Sequence, residues 1–505
     1  MDDNQAPSIK RRDGITSAER YLKRLCERSF LSLWSYAGIY RDQLDSPTAK
    51  VGKEVCDLLV VFQDHIIIFS DKDCVYPTGS DEKLNWRRWF KRAVQGSAKQ
   101  IWGAEKWIKN YPHRLFVDPA CTQQFPLEIP NPSAAKIHRI VVAHGVSEQC
   151  RAVFGGSGCL LITPGVIGAE HMADNCKPFT IGQIDPTKGY IHIFDEASLS
   201  IVMHTLDTIT DFVTYLIKKE QVIESGQLIY AGGENDLLAF YLMQGINKNN
   251  QGFASLLNMG GDAIIIADGF WHELQKSDKY KSFTDANKVS YVWDDLIESF
   301  NKHILAGNRH YISNLTVIQA EQIMRFLARE PRVRRRVLAQ ILLEMIEATP
   351  PSVRAASILQ PSSAGDPYYT VLIFPPSDNS AEREHHQAQS EMLLKVYCAV
   401  TKLIKPDAQD IIGISIEKEN DGSAHCFIEA MYLDAHIWTE QQQAEAQQAQ
   451  KDFDLLANAP KSIRFEQGKY SMTLRTLMGG SMKGRDRNIP CPCGSRKKYK
   501  KCCGR

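Results

Sequence analysis

Residues 52–73, which read GKEVCDLLVVFQDHIIIFSDKD, decide how the first part of the chain is interpreted. Two apolar runs rich in β-formers, 58–62 and 66–70, flank a polar break at 63–65. Such runs around a short polar break are typical of a β-hairpin. The stretch therefore predicts two antiparallel strands with charged residues at their open end.

The charged residues of this predicted hairpin point to a metal site. Pairing the runs about the centre of the break predicts that Asp57 lies opposite Asp71, with Glu54 near Asp73. Carboxylates held together repel one another and stay ionised most easily when a cation lies between them. Such oxygen ligands suit Mg²⁺ or Mn²⁺, and Lys72 could hold a phosphate oxygen. An ordinary hairpin with solvated charged ends is the alternative.

The arrangement resembles the PD-(D/E)xK nuclease superfamily, in which one aspartate precedes a strand and an acid-x-lysine follows on the next strand. The resemblance implies that Asp57 and Asp71 bind a catalytic Mg²⁺ or Mn²⁺ and that Lys72 orients or activates the attacking water. Glu54 would assist the two acids. The chain departs from the superfamily at Ser70, where the second acid is expected, because Asp71 comes one position late.

A helix is predicted from Trp86 to Asn110, and it looks like the superfamily's next helix. The resemblance assigns Gln100 the positioning of water or of the nucleic-acid backbone. Basic side chains interleaved with aromatic ones suit backbone phosphates and stacked bases. The same pattern fits an aromatic core face with a solvated basic face. The residues are Arg87, Arg88, Lys91, Arg92, Lys99 and Lys106, with Trp86, Trp89, Phe90, Trp102 and Trp107.

The C-terminal residues 485–505 read RDRNIPCPCGSRKKYKKCCGR. Zn²⁺ takes four sulfur or nitrogen ligands in a tetrahedron, and a segment too short for a core folds only with such support. The segment resembles the SEC-C motif, a zinc knuckle best known at the C-terminus of the preprotein translocase motor and appended to many unrelated bacterial proteins. Its lysines suit a nucleic acid or an acidic protein surface. The predicted structural zinc ligands are Cys491, Cys493, Cys502 and Cys503.

Composition narrows the function classes. The net charge of +1 gives no overall field that would attract nucleic acid. No run approaches the ~20 apolar residues of a membrane span. The thirteen cysteines are an odd number and most are scattered singly, which favours a reducing cytoplasm over a disulfide framework. The phosphate-binding Gly-x-x-x-x-Gly-Lys-Ser/Thr sequence of a transport ATPase is absent from the sequence.

The coarse pattern predicts a mixed α/β protein of several domains. Residues 1–165 are expected to form a restriction-endonuclease-like mixed sheet with flanking helices. A mixed, mainly helical domain over 166–348 and a small α/β domain with a Gln-rich helix over 366–480 follow. Residues 348–366 are rich in Pro, Ser and Ala and are a linker candidate. The knuckle at 485–505 ends the chain.

Two further clusters are candidates for binding. Asp207 and Asp211 lie one turn apart on a long helix predicted to begin at Ser198, as a ligand pair or a solvated pair. A dense arginine cluster could contact phosphate or an acidic partner. Its members are Arg332, Arg334, Arg335 and Arg336.

Two functions are consistent with these features. The first is a metal-dependent nuclease that cuts DNA, preferred to RNA, with a role in defence against phage or plasmid DNA. The second is a catalytically silent nuclease-like scaffold that binds a nucleic acid, a ribosome or a protein partner through the knuckle. Ser70 is the residue that favours the second.

Overall fold

A computed structural model describes residues 8–43, 51–247, 263–307, 316–361, 365–375, 383–418 and 424–456. The chain divides into two compact units. The first runs up to Asp285 and includes Leu305–Gly307, and the second comprises Ala286–Ile304 and the residues from 308 onward. The predicted mixed α/β fold class is confirmed. The zinc-knuckle segment at 485–505 lies outside the described residues.

The first unit is built from alternating helices and strands. Its helices are α1 (Ser17–Phe30), α2 (Glu82–Phe90), α3 (Gly96–Asn110), α4 (Ser147–Phe154), α5 (Glu196–Thr205), α6 (Ile209–Glu224), α7 (Glu234–Asn247), α8 (Phe270–Lys276) and α9 (Asp278–Asn287). Its strands are β1 (Ser35–Arg41), β2 (Lys53–Phe62), β3 (His65–Lys72), β4 (Lys136–Ala143), β5 (Leu161–Ile167), β6 (Thr180–Gln183), β7 (Ile191–Asp195), β8 (Leu228–Ala231) and β9 (Ile264–Ile266).

The predicted hairpin is the β2–β3 pair, but its turn is shorter than expected. Phe62 pairs with His65, so the loop is Gln63-Asp64 alone. Gln63 has a φ of 55°, the left-handed conformation that two-residue hairpin turns use. The register runs from this pair to Leu58 opposite Phe69. The predicted pairing of Asp57 with Asp71 is therefore wrong by one residue, because His65 belongs to the strand and not to the loop.

The hairpin sits in a mixed sheet with the order β1-β2-β3-β4-β7. β1, β2 and β3 pair antiparallel, whereas β3–β4 and β4–β7 are parallel. The parallel step from β3 to β4 crosses through α2 and α3, because parallel neighbours need such a connection. β7 lies beyond the domain boundary predicted at residue 165, so the sheet continues across it.

The first part of the helical run after the hairpin buries its aromatic side chains, which contact Phe179 and His171. Trp86, Trp89 and Phe90 are at most 2% exposed. A π-helical turn, Lys91–Gln95, joins α2 to α3 without a break. The basic side chains of the same run are exposed at Arg88, Lys91, Arg92, Lys99 and Lys106. These three aromatic residues thus serve as core, whereas Trp102 and Trp107 are half-buried and the basic side chains are exposed.

A second sheet of this unit has the order β6-β5-β8-β9. The long helix predicted from Ser198 is in fact two helices, α5 and α6. Thr208 interrupts it, because its side chain accepts a hydrogen bond from the Asp211 N–H and caps α6. Asp207 therefore precedes α6, and the predicted i,i+4 placement of Asp207 and Asp211 on one helix was wrong.

The second unit combines a helical part with a mixed sheet. Its helices are α10 (Tyr291–Ala306), α11 (Val317–Ala328), α12 (Arg332–Ala348), α13 (Arg383–Ile404) and α14 (Glu440–Phe453). The strands β10 (Ala355–Leu359), β11 (Tyr368–Phe374), β12 (Asp410–Lys418) and β13 (Ala424–Asp434) pair in chain order. β10 lies inside the predicted linker at 348–366, which is therefore partly sheet. No helix among the described residues is long and apolar enough to cross a membrane.

The arginine cluster is committed to a buried acid within the second unit. Arg332 and Arg335 are at most 4% exposed. Their guanidinium groups contact the two carboxylate oxygens of Asp294 at 2.7 and 2.6 Å. Arg334 donates to the carbonyl oxygen of Gln360. The acidic partner expected for the cluster is internal, so at least Arg332 and Arg335 do not face a phosphate.

Removing the Asp294 carboxylate should destabilise the second unit, because Arg332 and Arg335 would stay buried without a counter-charge. We expect Asp294→Ala to lower the free energy of unfolding of the second unit by about 3–5 kcal/mol, because two buried guanidinium groups lose their counter-charge. Urea titration of the full chain, followed by circular dichroism, measures the change. Asp434→Ala, at a carboxylate that is mostly exposed, is the control and should change little. Equal effects of the two substitutions would contradict the assignment.

Candidate functional site

The open end of the hairpin places three predicted site residues on one face of the sheet. Continuing the β2–β3 register by one residue puts Asp57 opposite Ser70, and residues opposite one another share a face. Ser70 Oγ donates a hydrogen bond to Gln100 Oε1 at 3.3 Å. Lys72, two residues beyond Ser70, belongs to the same face by strand alternation and is exposed. The register and strand alternation thus place Asp57, Ser70 and Lys72 on one face of the sheet, where Gln100 of α3 contacts Ser70.

Asp71 lies on the other face. It is adjacent to Ser70 on β3, and successive side chains of a strand point to opposite faces. Its carboxylate accepts a hydrogen bond from Nε2 of His144 at 2.6 Å, and its side chain is 1% exposed. The backbone N–H of Asp71 donates to Oδ2 of Asp57 at 2.6 Å. The two carboxylates predicted to share a metal are therefore linked through a backbone amide, and each has its own surroundings.

Negative charge is concentrated around Asp57. Burial raises the pKa of Asp57 to about 7, against the N–H bond from Asp71, and the charges of Glu54, Asp71 and Glu19 add to the rise. The pKa of Glu54 is also raised, first by burial and then by Glu19, with Arg12 opposing. Because charge repulsion and burial both disfavour ionisation here, a divalent cation would favour the ionised form. The Mg²⁺ or Mn²⁺ site stays a prediction.

His144 is a site residue that the sequence reasoning missed. It follows β4 directly, and Asp71 lies near the end of the parallel neighbour β3. Burial alone would lower the pKa of His144, but the hydrogen bond and charge of Asp71 raise it. The carboxyl ends of adjacent parallel strands lie at one edge of a sheet. The available signal was a polar residue directly after the apolar run 140–143.

A second polar cluster lies beside the glycine-rich loop 155–158, where a turn is found. A cavity of about 230 Å³ is bounded by this loop, Lys177, Tyr230 and Asp268. Gly156 has a φ of +61°, and a Cβ there would lie 2.5 Å from the Asp268 carboxylate. Burial raises the pKa of Asp236 to about 6, and the neighbouring charge of Asp268 adds to it. Because Gly156 has no side chain, the Asp268 carboxylate can lie close to the loop. The charge of Asp268 in turn adds to the raised pKa of Asp236.

Comparison with known proteins identifies one module. Residues 487–505 match the SEC-C motif. A UPF0225 protein of Photorhabdus laumondii is 36% identical over 92 residues, which are 18% of this chain and 50% of the relative. A protein translocase subunit SecA of Solibacter usitatus is 38% identical over 93 residues, which are 17% of this chain and 9% of that protein.

These similarities are local. The chain spans half of the first relative and about a tenth of the second. No solved structure was found to match the chain. The SEC-C motif is a zinc-binding type of motif, and it agrees with the metal-binding segment predicted for the C-terminus. The four cysteines themselves lie outside the described residues.

The raised pKa of Asp57 predicts a pH-dependent stability. Its folded pKa of about 7 exceeds the ordinary value of about 3.9, so the wild-type chain should lose stability as pH rises from about 4 to 7. Asp57→Asn removes this loss. We expect the variant to gain about 2–4 kcal/mol over wild type at pH 8 in EDTA, and almost nothing near pH 4. Urea titration followed by tryptophan fluorescence measures the difference.

The control for this experiment is a carboxylate whose pKa is lowered instead of raised. Although burial opposes it, N–H bonds from Gln123 and Thr122 lower the pKa of Asp118. Asp118→Asn should therefore be less stable than wild type by a nearly constant amount above about pH 4, and this difference should shrink as the pH falls below that value. A wild-type minus Asp57→Asn difference that stays flat from pH 4 to 8 would contradict the raised pKa.

Proposed function

We propose that the first unit is a metal-dependent nuclease domain that cleaves phosphodiester bonds, with DNA preferred to RNA. The observation that carries the proposal is the Asp57 carboxyl, whose pKa is raised to about 7 on the face it shares with Ser70, Lys72 and Gln100. A perturbed carboxyl beside a lysine and an amide is a combination suited to metal and phosphate chemistry. The resemblance to the PD-(D/E)xK superfamily rests on the same positions.

Each residue of this face has a role in the proposal. Asp57 holds Mg²⁺ or Mn²⁺, with Glu54 adding negative charge. The bound metal would lower the pKa of a water and polarise the scissile phosphate. Lys72, which is exposed at the strand end, stabilises charge that develops on the phosphate. Gln100 positions the water or the backbone, and its hydrogen bond to Ser70 holds the amide in place.

Asp71 stays a predicted ligand, but its surroundings suggest a positioning task. Its carboxylate is engaged by His144, while its N–H holds Asp57 at 2.6 Å. The first contact fixes the end of β3 relative to the end of β4, and the second ties it to β2. In this form of the proposal Asp71 orients Asp57, and a second metal-binding acid is missing from the α3 face because Ser70 occupies its position.

The exposed basic side chains of the α2–α3 run supply the proposed nucleic-acid surface. They belong to the helical segment that also carries Gln100, so a bound backbone would pass close to Asp57. Lysine and arginine contacts to phosphate provide affinity without sequence recognition. The side chains are Arg88, Lys91, Arg92, Lys99 and Lys106. A role in defence against phage or plasmid DNA belongs to the same proposal.

The C-terminal motif is proposed to bind one structural Zn²⁺ through Cys491, Cys493, Cys502 and Cys503. Four thiolates complete a tetrahedron and leave no position for a substrate. The lysines around Tyr499 would then dock a nucleic acid or an acidic protein partner.

A second function is favoured by one specific observation. Ser70 is fully buried and bonded to Gln100 where the superfamily carries an acid. With a single metal-binding acid on its face, the domain would be a silent nuclease-like scaffold. It would bind nucleic acid, a ribosome or a protein without cutting it.

A nuclease assay separates these functions. We expect the purified chain to cut DNA with Mg²⁺ or Mn²⁺, and Asp57→Asn and Lys72→Ala each to reduce the rate at least ~100-fold, because metal binding and charge stabilisation are lost. Gel electrophoresis of labelled duplex, single-stranded DNA and RNA measures cutting. The control is Asp73→Asn, an exposed acid at the same strand end. Cutting that survives both substitutions would place the active site elsewhere.

The scaffold function predicts that a substitution at Ser70 creates a metal site that the wild-type chain lacks. If wild type binds but does not cut, Ser70→Asp restores a second acid, and Mg²⁺ should then stabilise this variant more than wild type, because ligand binding to the folded state raises stability. Thermal melting with and without Mg²⁺ measures this gain. A variant that gains neither cutting nor metal-dependent stability would rule out a metal site on this face.

Zinc content tests the C-terminal motif. We expect the purified chain to lose one Zn²⁺ when Cys491→Ser and Cys502→Ser are combined, because two thiolates cannot hold the ion in a tetrahedral site. Mass spectrometry of the metal after desalting measures the loss. Cys176→Ser, at a half-buried cysteine of the first unit, is the control. Zinc retained in full by the double variant would contradict the motif assignment.

A further inference from the structure

Three histidines lie together where the parallel strands of the first sheet begin. His65 is the first residue of β3, and His138 and His192 lie near the starts of β4 and β7. The registers place Ile67 beside His138 and Ile140 beside His192, so the three imidazoles share one face. It is the face opposite Ser70 and Gln100. Helix α6 brings Glu220 to the same place.

The polar contacts of this cluster favour one assignment of its ring protons. Nε2 of His65 lies 3.3 Å from the Asp64 carboxylate, whose negative charge favours a proton on this nitrogen. Nδ1 of His65 is then the acceptor, and Nε2 of His138 donates to it at 3.0 Å. A neutral imidazole has one proton, so Nδ1 of His138 keeps a bare lone pair. Lys136 holds Asp64 in place at 2.8 Å.

The same reasoning applies to the third histidine. Nε2 of His192 lies 2.8 Å from Oε1 of Glu220 and donates to this carboxylate. Its Nδ1 is left with a lone pair as well. Among the described residues, neither Nδ1 of His138 nor Nδ1 of His192 has a hydrogen-bond partner, although both atoms are buried. A buried acceptor without a donor is costly unless something else satisfies it, and Nδ1 of His138 is the acceptor that an ion beside Glu220 could satisfy.

We propose that His138, His192 and Glu220 bind a divalent transition-metal ion of the zinc class. One donor atom from each residue lies within 4.8 Å of the others, and a metal ion would draw them closer to ligand distances. Because Glu220 lies at Nε2 of His192, an ion shared by these two residues would replace the Nε2 proton, which would move to Nδ1 of the same ring. Two imidazoles and one carboxylate are a known donor set for Zn²⁺, with a fourth position left for water. Mg²⁺ and Ca²⁺ prefer oxygen ligands and fit this set poorly.

The two histidines of the proposed site are shielded from solvent. His138 and His192 are at most 3% exposed. The Glu220 side chain is 28% exposed, which gives an ion a path from solvent. The Asp64–His65 pair orients His138 from behind, as a carboxylate and histidine commonly support metal ligands.

This site is independent of the proposed nuclease site. It lies at the strand starts of the parallel pairs, whereas Asp71 and Lys72 lie at the end of β3. An ion there would tie α6 to β4 and β7, which contribute one ligand each. It would also differ in chemistry from the C-terminal motif, because no thiolate takes part. The two proposals can therefore fail separately.

The test uses the full chain with Cys491, Cys493, Cys502 and Cys503 each replaced by serine, so that the C-terminal segment cannot bind zinc. We expect this protein to retain one Zn²⁺ after dialysis against Zn²⁺ and desalting. Its X-ray absorption spectrum should show nitrogen and oxygen ligands without sulfur. Finding no zinc above background would overturn the proposal, and so would a sulfur ligand.

Substitutions locate the ion. In this protein His192→Asn and Glu220→Gln should each abolish zinc retention and the rise of the melting temperature with Zn²⁺. His65→Gln, which removes only the supporting contact, should weaken zinc binding ~10–100-fold. His272→Asn, at an exposed histidine of the same unit, should leave binding unchanged. Zinc that survives both His192→Asn and Glu220→Gln would place the ion elsewhere. Because the spectrum needs no substitution at the site, a variant that fails to fold does not obscure the result.

Discussion

The central strand β3 pairs antiparallel with β2 on one side and parallel with β4 on the other. This double pairing constrains everything else in the first unit. The antiparallel side places Asp57 opposite Ser70, and the parallel side brings the end of β4, with His144, to the end of β3. Because alternate side chains point to opposite faces, β3 sends Ser70 toward Gln100 and Asp71 toward His144. The start of the same strand presents His65 to His138.

Some buried carboxylates of the first unit are matched by cations, whereas Asp57, like Asp236, lies beside further acids. Glu105 accepts two hydrogen bonds from Arg139, and Glu234 is 2.5 Å from Lys219 in a fully buried ion pair. Asp57 instead is surrounded by further acids, and its pKa is raised. Structural ion pairs tend to keep carboxylates ionised, whereas repulsion among acids is a feature of sites that take up a proton or a cation. The proposed function rests on this contrast.

Local patterns in the sequence predicted the local parts of the fold. The hairpin, the long helical run after it and the mixed α/β class follow from periodicity and composition, which depend on near neighbours. The one-residue error in register arose from the turn. Gln63 adopts a left-handed conformation that glycine and asparagine favour, so the glutamine at this position did not indicate a two-residue turn. Thr208 was likewise overlooked as a cap inside an otherwise apolar pattern.

Contacts between distant segments could not be predicted from local sequence patterns. The pairing of β4 with β7, the Asp294 contacts of Arg332 and Arg335, and the strand inside the Pro- and Ser-rich segment all depend on tertiary packing. Each histidine of the cluster was visible only as a single polar residue in an apolar strand, a pattern that more often marks a satisfied core histidine.

The arrangement of the parallel strands also explains how one sheet can carry two separate chemistries. Side chains at strand starts and strand ends are separated by the length of the strand, and those on opposite faces are separated by the sheet itself. Oxygen-rich groups gather at the end of β3, where the hairpin opens to solvent, and imidazoles gather at the starts, under α6. Mg²⁺ or Mn²⁺ would then bind the oxygen-rich site that contains Asp57, and a transition metal would bind the imidazole site that contains His138. The two sites would share no ligand.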